Sequence, residues 1–427
     1  MPTVLPSTLD GWLTYIERVH PRSIEMGLER VRAVKQAMAL ELRVPVITVG
    51  GTNGKGSACA MLEAILDEAG YRIGCYTSPH LLRYNERIRI SRMEATDAEI
   101  MDALRAVEDA RGETPLTYFE FGTLAAVWLF ARQEVDCAIL EVGLGGRLDA
   151  VNTFDTDCAM LMSIALDHME YLGETRAAIA AEKAGIMRPA RPAICADPDP
   201  PETLTQHASQ VGAQLLVQGR AFGYEAQPRQ WRYWGPGGER HGLPYPALRG
   251  RYQLANAAAC LAALDVLRPR LPVSAADVRT GLLTTENPGR FQVLPGRPLV
   301  VLDVAHNPHA AGVLAETLRE LPAAGRRIAV FSMLRDKDID SVIAAVKDAF
   351  DEWFVGSIEG PRGTGATELR ERLRAMGVTA QVTECGSIAE AYTQACERAT
   401  ENDKIVAFGS FYTVAGVMAA RALRSSR

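Results

Sequence analysis

The chain has 427 residues, of which 48% are apolar, 23% charged and 7% aromatic, with 36 Gly and 23 Pro. These proportions exclude a collagen-like, low-complexity or largely disordered protein. Forty-six Lys and Arg against 52 Asp and Glu leave a formal charge of −6, so there is no global attraction to nucleic acid or an anionic membrane, and any handling of phosphates needs a local device.

At roughly 150 residues per domain, the length predicts two large domains or three small ones. The opening residues "MPTVLPSTLDGWLTYIERVH" lack a basic stretch followed by an apolar one, so no secretory leader is expected. No run approaches the ~20 apolar residues of a membrane span. None of the eight Cys forms a C-x-x-C pair, and several, such as Cys137 in "VDCAILEV", sit in apolar runs. They read as small buried hydrophobes in a reducing compartment, and a cytoplasmic protein is the expectation.

The segment 15–31 reads as two short helices around a turn. An apolar strand at 44–49 runs into a Gly-rich turn and then a helix over 57–69, with Gly70 where a helix C-terminus favours it. Further strands are predicted at 72–77, 135–142 and 157–164, and a core helix that begins with aromatics at 116–130. Residues 220–248, with Trp231, Tyr233, Trp234 and a "GPGG" turn, predict a small β excursion. A helix is expected after Tyr252. The Pro- and Gly-rich stretch 285–298 marks a domain boundary, placed at 287/288. Strands at 299–305, 327–333, 353–356 and 404–410 then form a second set. Nearly continuous apolar strands alternating with helices predict an α/β fold with parallel sheets covered on both faces.

The run "VITVGGTNGKGS" places Thr52, Asn53, Gly54, Lys55, Gly56 and Ser57 between a strand and a helix. Backbone N–H groups of such a turn form an anion cradle, and Lys55 can reach the outer phosphates. Val49 and Gly56 depart from the standard G-x-x-x-x-G-K-[ST] spacing. Glu141 ends an apolar strand, where a buried carboxylate calls for a cation or a cap. His168 in "ALDH" is either a metal ligand or a structural histidine, with Asp167 able to orient its ring. Ser78, in "TSPH", is a ligand or simple turn chemistry. All three end strands that can neighbour the phosphate-loop strand, and ligands gather at the carboxyl ends of parallel strands. On the residues alone, Lys183 reads as a solvated helix lysine and Asn256 as a polar residue near a helix start. Arg290 suits either a phosphate clamp or a salt bridge between domains, and Asp303 can bind a ribose hydroxyl from its strand end.

"GTNGKGS" resembles the phosphate loop of the Mur ligase superfamily, specifically that of the bifunctional dihydrofolate synthase/folylpolyglutamate synthases. The likeness extends over the whole chain through "TSPH", "LEVGLGGRLDA", "ALDH", "EKAGI", "LDVAHNPHA" and "FGSFYTV". It implies a P-loop-containing, Mur-ligase-like ATPase domain with a parallel sheet and a smaller Rossmann-like C-terminal domain. It also implies an ATP-dependent amide ligase that uses Mg²⁺ to add L-glutamate to dihydropteroate and folates. By this likeness Ser78, Glu141, His168 and Lys183, carbamylated by CO₂, hold Mg²⁺, with Lys55, Lys183, His168 and Glu141 catalytic. Asn256, Arg290 and Asp303 join the phosphate loop around ATP. Thr117, Phe119, Asp149 and Ala150, with Ser23, Ile24, Glu25 and Met26, face dihydropteroate. His306 and Ser410 hold the incoming glutamate. Val151 departs from the family's "DATN", and Val304 from its commoner D-G-A-H-N. The partners implied are these small molecules, with no nucleic acid and no membrane, and the chain acting as a monomer. Three alternatives stand beside this reading: a single-activity folylpolyglutamate synthase, a P-loop ATPase switch without ligase activity, and a Mur-type ligase acting on a cell-wall precursor.

Overall fold

The computed structural model describes residues 5–22, 24–321 and 324–425. They divide into two compact units. The first comprises the chain up to Ala165, Met169–Ala247 and Leu254–Thr285; the second comprises Leu166–His168, Leu248–Gln253 and the chain from Glu286 onward.

The first unit is built on eight strands: β1 (Val46–Gly50), β2 (Ile73–Tyr76), β3 (Ile88–Ile90), β4 (Met93–Glu94), β5 (Cys137–Glu141), β6 (Cys158–Leu161), β7 (Pro192–Cys195) and β8 (Gln214–Val217). Their order is β4-β3-β2-β5-β1-β6-β7-β8. From β2 to β8 the pairing is parallel, while β3 and β4 close one edge antiparallel. Every residue of β1, β2, β5 and β6 is buried, as expected for parallel strands covered on both faces. Each wholly buried Ile, Val or Leu contributes about 1.5–3 kcal/mol.

This topology positions the chemistry. With β1 between β5 and β6, the turns that follow Gly50, Tyr76, Glu141 and Leu161 all emerge at one sheet edge. The helix Lys55–Glu68 starts directly from the turn after β1. The β excursion is a three-stranded antiparallel sheet, β9 (Gly223–Ala226), β10 (Trp231–Gly235) and β11 (Gly238–Leu243). It is tied to the helix Tyr252–Leu267 through Asp265, which accepts from the Tyr233 hydroxyl at 2.6 Å and from Arg240 at 2.9 Å.

The second unit holds β12 (Gln292–Leu294), β13 (Leu299–Leu302), β14 (Arg327–Phe331), β15 (Glu352–Gly356), β16 (Gln381–Cys385) and β17 (Lys404–Phe408), in the order β12-β13-β17-β14-β15-β16. All pairs are parallel except β12 with β13. Phe331, Phe350, Trp353 and Phe408 pack ring on ring in its core.

The fold is the expected α/β, with two corrections. Both sheets carry antiparallel edge strands, and β7, β8 and β16 are strands that the pattern reading passed over. Seven cysteines are buried, as read from their apolar runs, but Cys396 is only half-buried. Among the described residues no helix is long and apolar enough to cross a membrane.

Candidate functional site

The phosphate loop is fastened to the segment that follows β6. The Thr52 amide donates to the Ser163 carbonyl at 2.7 Å. The Thr52 hydroxyl donates to the Ala165 carbonyl at 3.0 Å and accepts from the Ala165 amide at 3.1 Å. Ser163 donates in turn to the Asn53 carbonyl. Gly54 stands as helix N-cap in the left-handed region at φ +92°, and a Cβ there would lie 2.8 Å from the Asn256 Oδ1 atom. Only glycine satisfies both constraints. Asn256 is therefore packed on the loop, joining Thr52, Asn53, Gly54 and Lys55. Gly56 and the buried Ser57 lie in the first turn of the helix.

Two cations converge on one carbonyl. Lys55 Nζ donates to the Gly51 oxygen at 3.0 Å and to the Thr52 oxygen at 3.3 Å. Lys183 Nζ donates to the same Gly51 oxygen at 3.0 Å. Lys183 is 5% exposed, so the solvated-helix reading of this lysine is corrected. Its helix, Arg176–Ala184, presents it inward.

Glu141, 3% exposed at the end of β5, accepts from the Ser78 amide at 3.1 Å. Ser78 and Glu141 are thus side by side and offer hard oxygen donors of the kind Mg²⁺ selects, since that ion keeps several waters and takes few protein ligands. Among the described residues no group of three His, Cys, Asp or Glu side chains forms a ready metal cluster. His168 is counted with the second unit.

A second cluster of candidates lies along the Gly-rich segment 143–150. A Cβ on Gly143 would fall 2.6 Å from the Phe119 ring, so glycine is what lets the backbone approach that ring. Met26 Cε lies 3.4 Å from where a Cβ on Gly145 would stand. Asp149, 4% exposed, caps the short helix Ala150–Thr153 and accepts from the amides of Val151 (3.1 Å) and Leu144 (2.9 Å). Burial pushes its carboxyl up to about 7 against those N–H bonds and the charge of Lys55. Thr117 caps the helix Tyr118–Arg132 in a reciprocal pair with Glu120. Met26, Thr117, Phe119, Asp149 and Ala150 therefore belong to one region. Ile24 is exposed, Glu25 is paired with Arg22 at 2.6 Å, and Ser23 lies outside the described residues.

In the second unit, Asp167 is the centre. Lys337 Nζ donates to it at 2.6 Å and stands 3.2 Å from His168 Nε2, with Lys337 and Asp167 side chains 8% and 10% exposed. His306 Nε2 lies 3.6 Å from the other Asp167 oxygen, and its Nδ1 is 2.7 Å from the Val304 carbonyl. Burial raises the Asp167 carboxyl, but the His306 hydrogen bond and the Lys337, His306 and His168 charges outweigh it and hold the group far below the usual carboxylate range. Asp167 is thus occupied by Lys337 rather than by the His168 ring, which stands 4.0 Å away. His168 also sits at φ +50°, an uncommon conformation for a residue with a Cβ. Asp303 is buried and accepts from the amides of Phe291 and Ala305, both at 2.8 Å. Arg290 lies over the Phe411 ring at 5.0 Å. Ser410 is engaged as a cap: the Thr413 amide donates to it at 3.0 Å and the Thr413 hydroxyl stands 2.7 Å away. Lys337, in "MLRDKDI", is the residue that reading for site motifs missed.

These features match a known class. The family model of the Mur ligase middle domain matches residues 49–264, and that of the Mur ligase glutamate ligase domain matches residues 289–411. The chain is 43% identical over 413 residues to the dihydrofolate synthase/folylpolyglutamate synthase of Escherichia coli (strain K12), covering 96% of this chain and 95% of that one. E. coli FolC in complex with DHPP and ADP superposes with a TM-score of 0.93 at 42% identity, over 99% of each chain. A bifunctional folylpolyglutamate synthase/dihydrofolate synthase with Mn, AMPPNP and L-glutamate bound gives 0.91 at 44% identity, over 98% of this chain and 100% of the other. The chain belongs to the dihydrofolate synthase/folylpolyglutamate synthase family of Mur ligases.

Proposed function

We propose that this chain is an ATP-dependent amide ligase that joins L-glutamate to dihydropteroate, forming dihydrofolate, and to the γ-carboxylate of folates. The observation that carries the reading is the Gly51–Lys55 loop, with Lys55 and Lys183 both resting on the Gly51 carbonyl, in a chain matched almost end to end by ligases of this kind. The E. coli relative binds DHPP and ADP, and the second structure binds AMPPNP and L-glutamate.

A free carboxylate is a poor acyl donor because its leaving group would be oxide. Transfer of the terminal phosphoryl group of ATP makes the new bond to a carboxylate oxygen and breaks the bond to ADP. The glutamate nitrogen then forms the amide bond as phosphate leaves and the amine gives up a proton. The loop amides and Thr52, Asn53, Ser57 and Asn256 hold the nucleotide. Lys55 neutralises charge on the phosphoryl oxygens, a contribution that is large because the group is already in place. Ser78 and Glu141 would hold Mg²⁺, with His168 and Lys183 as further ligands, the latter once carbamylation replaces the ammonium that now rests on Gly51; the ion would supply charge neutralisation for the phosphates. Phe119 offers a ring face to a flat pterin, and Asp149 and Ala150 line the same region. In the second unit, Arg290 and Asp303 contact nucleotide, and His306 and Ser410 hold glutamate. Residues 1–287 form the nucleotide domain and 288–427 the glutamate-ligase domain, acting as a cytoplasmic monomer.

The test is a ligation assay with ATP, L-glutamate and either dihydropteroate or tetrahydrofolate. Both acceptors should gain a glutamate. Gain by tetrahydrofolate alone would reduce the chain to a folylpolyglutamate synthase, and phosphate release independent of acceptor and glutamate would favour a P-loop switch. Glu141→Ala should raise the Mg²⁺ concentration needed for half-maximal rate about 10- to 100-fold; an unchanged Mg²⁺ titration would remove Glu141 from the site.

A further inference from the structure

We infer that Arg30 is a positioning residue for the acceptor-binding region, through a relay of charge-assisted hydrogen bonds that lays the stretch 24–28 against the start of the helix Tyr118–Arg132. This rests on the reading that dihydropteroate is an acceptor. Arg30, in the helix Glu29–Ala37, spends one terminal nitrogen on two acceptors. Its Nη2 donates to the Glu25 carbonyl at 2.8 Å and to Glu120 Oε1 at 3.0 Å, while Nε stands 3.4 Å from Glu120 Oε2. Glu120 is nearly buried, its side chain 5% exposed against 21% for Arg30. The same carboxylate accepts from the Thr117 amide at 2.8 Å.

One guanidinium thus joins Glu25 to Thr117, two positions expected to face the acceptor; Met26 follows Glu25 directly and Phe119 lies two residues after Thr117. The other ion pair of this stretch, Arg22 with Glu25, involves an Arg side chain that is 72% exposed, and exposed pairs order a loop weakly. Among the described residues, the hydrogen bond from Arg30 to the Glu25 carbonyl is the backbone tether of the stretch 24–28 to the buried carboxylate. The second nitrogen, Nε, turns the fork toward both oxygens of Glu120, a two-point contact that a lysine ammonium would lose.

Arg30→Met alone leaves Glu120 as an uncompensated buried charge and endangers folding. The decisive protein is therefore Arg30→Met/Glu120→Gln, in which the amide oxygen can still accept from Thr117 and no buried charge remains. Binding of dihydropteroate and of ADP is measured by calorimetry on the wild type and on this variant, with circular dichroism as the folding control. The dihydropteroate dissociation constant should rise about tenfold, the effect of one lost charge-assisted hydrogen bond, while that of ADP stays within about twofold. In steady state the loss should fall on the KM for dihydropteroate rather than on kcat. Unchanged dihydropteroate affinity, or equal weakening of both ligands, would overturn the inference. A wild type that binds ADP but no dihydropteroate would instead refute the functional reading on which it stands.

Discussion

Two aspartates, one in each unit, are treated in opposite ways. Beside the phosphate loop, Lys55 leans on the neutral Gly51 carbonyl, and among the described residues the buried Asp149 accepts from amide N–H groups. In the second, Asp167 takes Lys337 directly and has His306 and His168 beside it. The two aspartates respond accordingly: burial pushes Asp149 up to about 7, whereas the surrounding cations hold Asp167 far below the usual range. An ammonium resting on a carbonyl gives up little when a phosphate arrives, whereas one locked to a carboxylate is already neutralised. The Lys55 arrangement is suited to receiving an anion, and the Lys337–Asp167 pair to fixing the segment that carries His168.

Lys55→Ala is the harshest test of this contrast. It should lower kcat/KM for ligation by about three orders of magnitude. The fold should be almost untouched, because the group left behind is a carbonyl, worth about 1 kcal/mol. Full activity, or a collapse of the thermal transition, would break the comparison at its first term. Lys337→Met should behave the other way and act on stability. Asp167 would remain buried without its closest cation, at a cost of about 3 kcal/mol, measurable by denaturant titration. A carboxyl held below its unfolded value contributes stability that is present above the ordinary Asp range and lost as the pH falls. Lys337→Met should therefore also move acid unfolding to higher pH, and Asp167→Asn in that background should recover much of the loss.

How much of this could be read from the sequence depends on how far apart the partners lie. The buried strands β1, β5 and β6 announced themselves because each is a nearly continuous apolar run, and the phosphate loop because all its parts sit within seven residues. Strands β8 and β16 lie at sheet edges with mixed faces, so neither continuous hydrophobicity nor strict alternation marked them. Lys183 looked solvated because it is a charged residue in an Ala-rich helix, although the buried Ile179 four residues earlier marks the same face as covered. Its buried neighbour is the Gly51 carbonyl, 132 residues away. Arg30 with Glu120 and Lys337 with Asp167 are separated by 90 and 170 residues, and no local pattern joins such pairs. The family likeness supplied candidate roles for single residues. The pairing that fixes those residues is a product of the fold.

The gentlest probe concerns Asp149, where the comparison can be sharpened without touching a cation. Its folded pKa lies above the ordinary Asp value of about 3.9, so between these values the native state binds more protons than the unfolded chain, and stability falls as pH rises through 7. Between pH 6 and 8 this one group should cost the wild type about 1 kcal/mol. Asp149→Asn can still cap the helix Ala150–Thr153 and has nothing to titrate, so its stability should be flatter over the same window, with the two proteins drawing together or crossing toward pH 8. Urea titrations at pH 6, 7 and 8 would show it. Parallel curves would mean that the Asp149 carboxyl is already ionised at pH 6, and that burial does not outweigh its amide N–H bonds and the charge of Lys55.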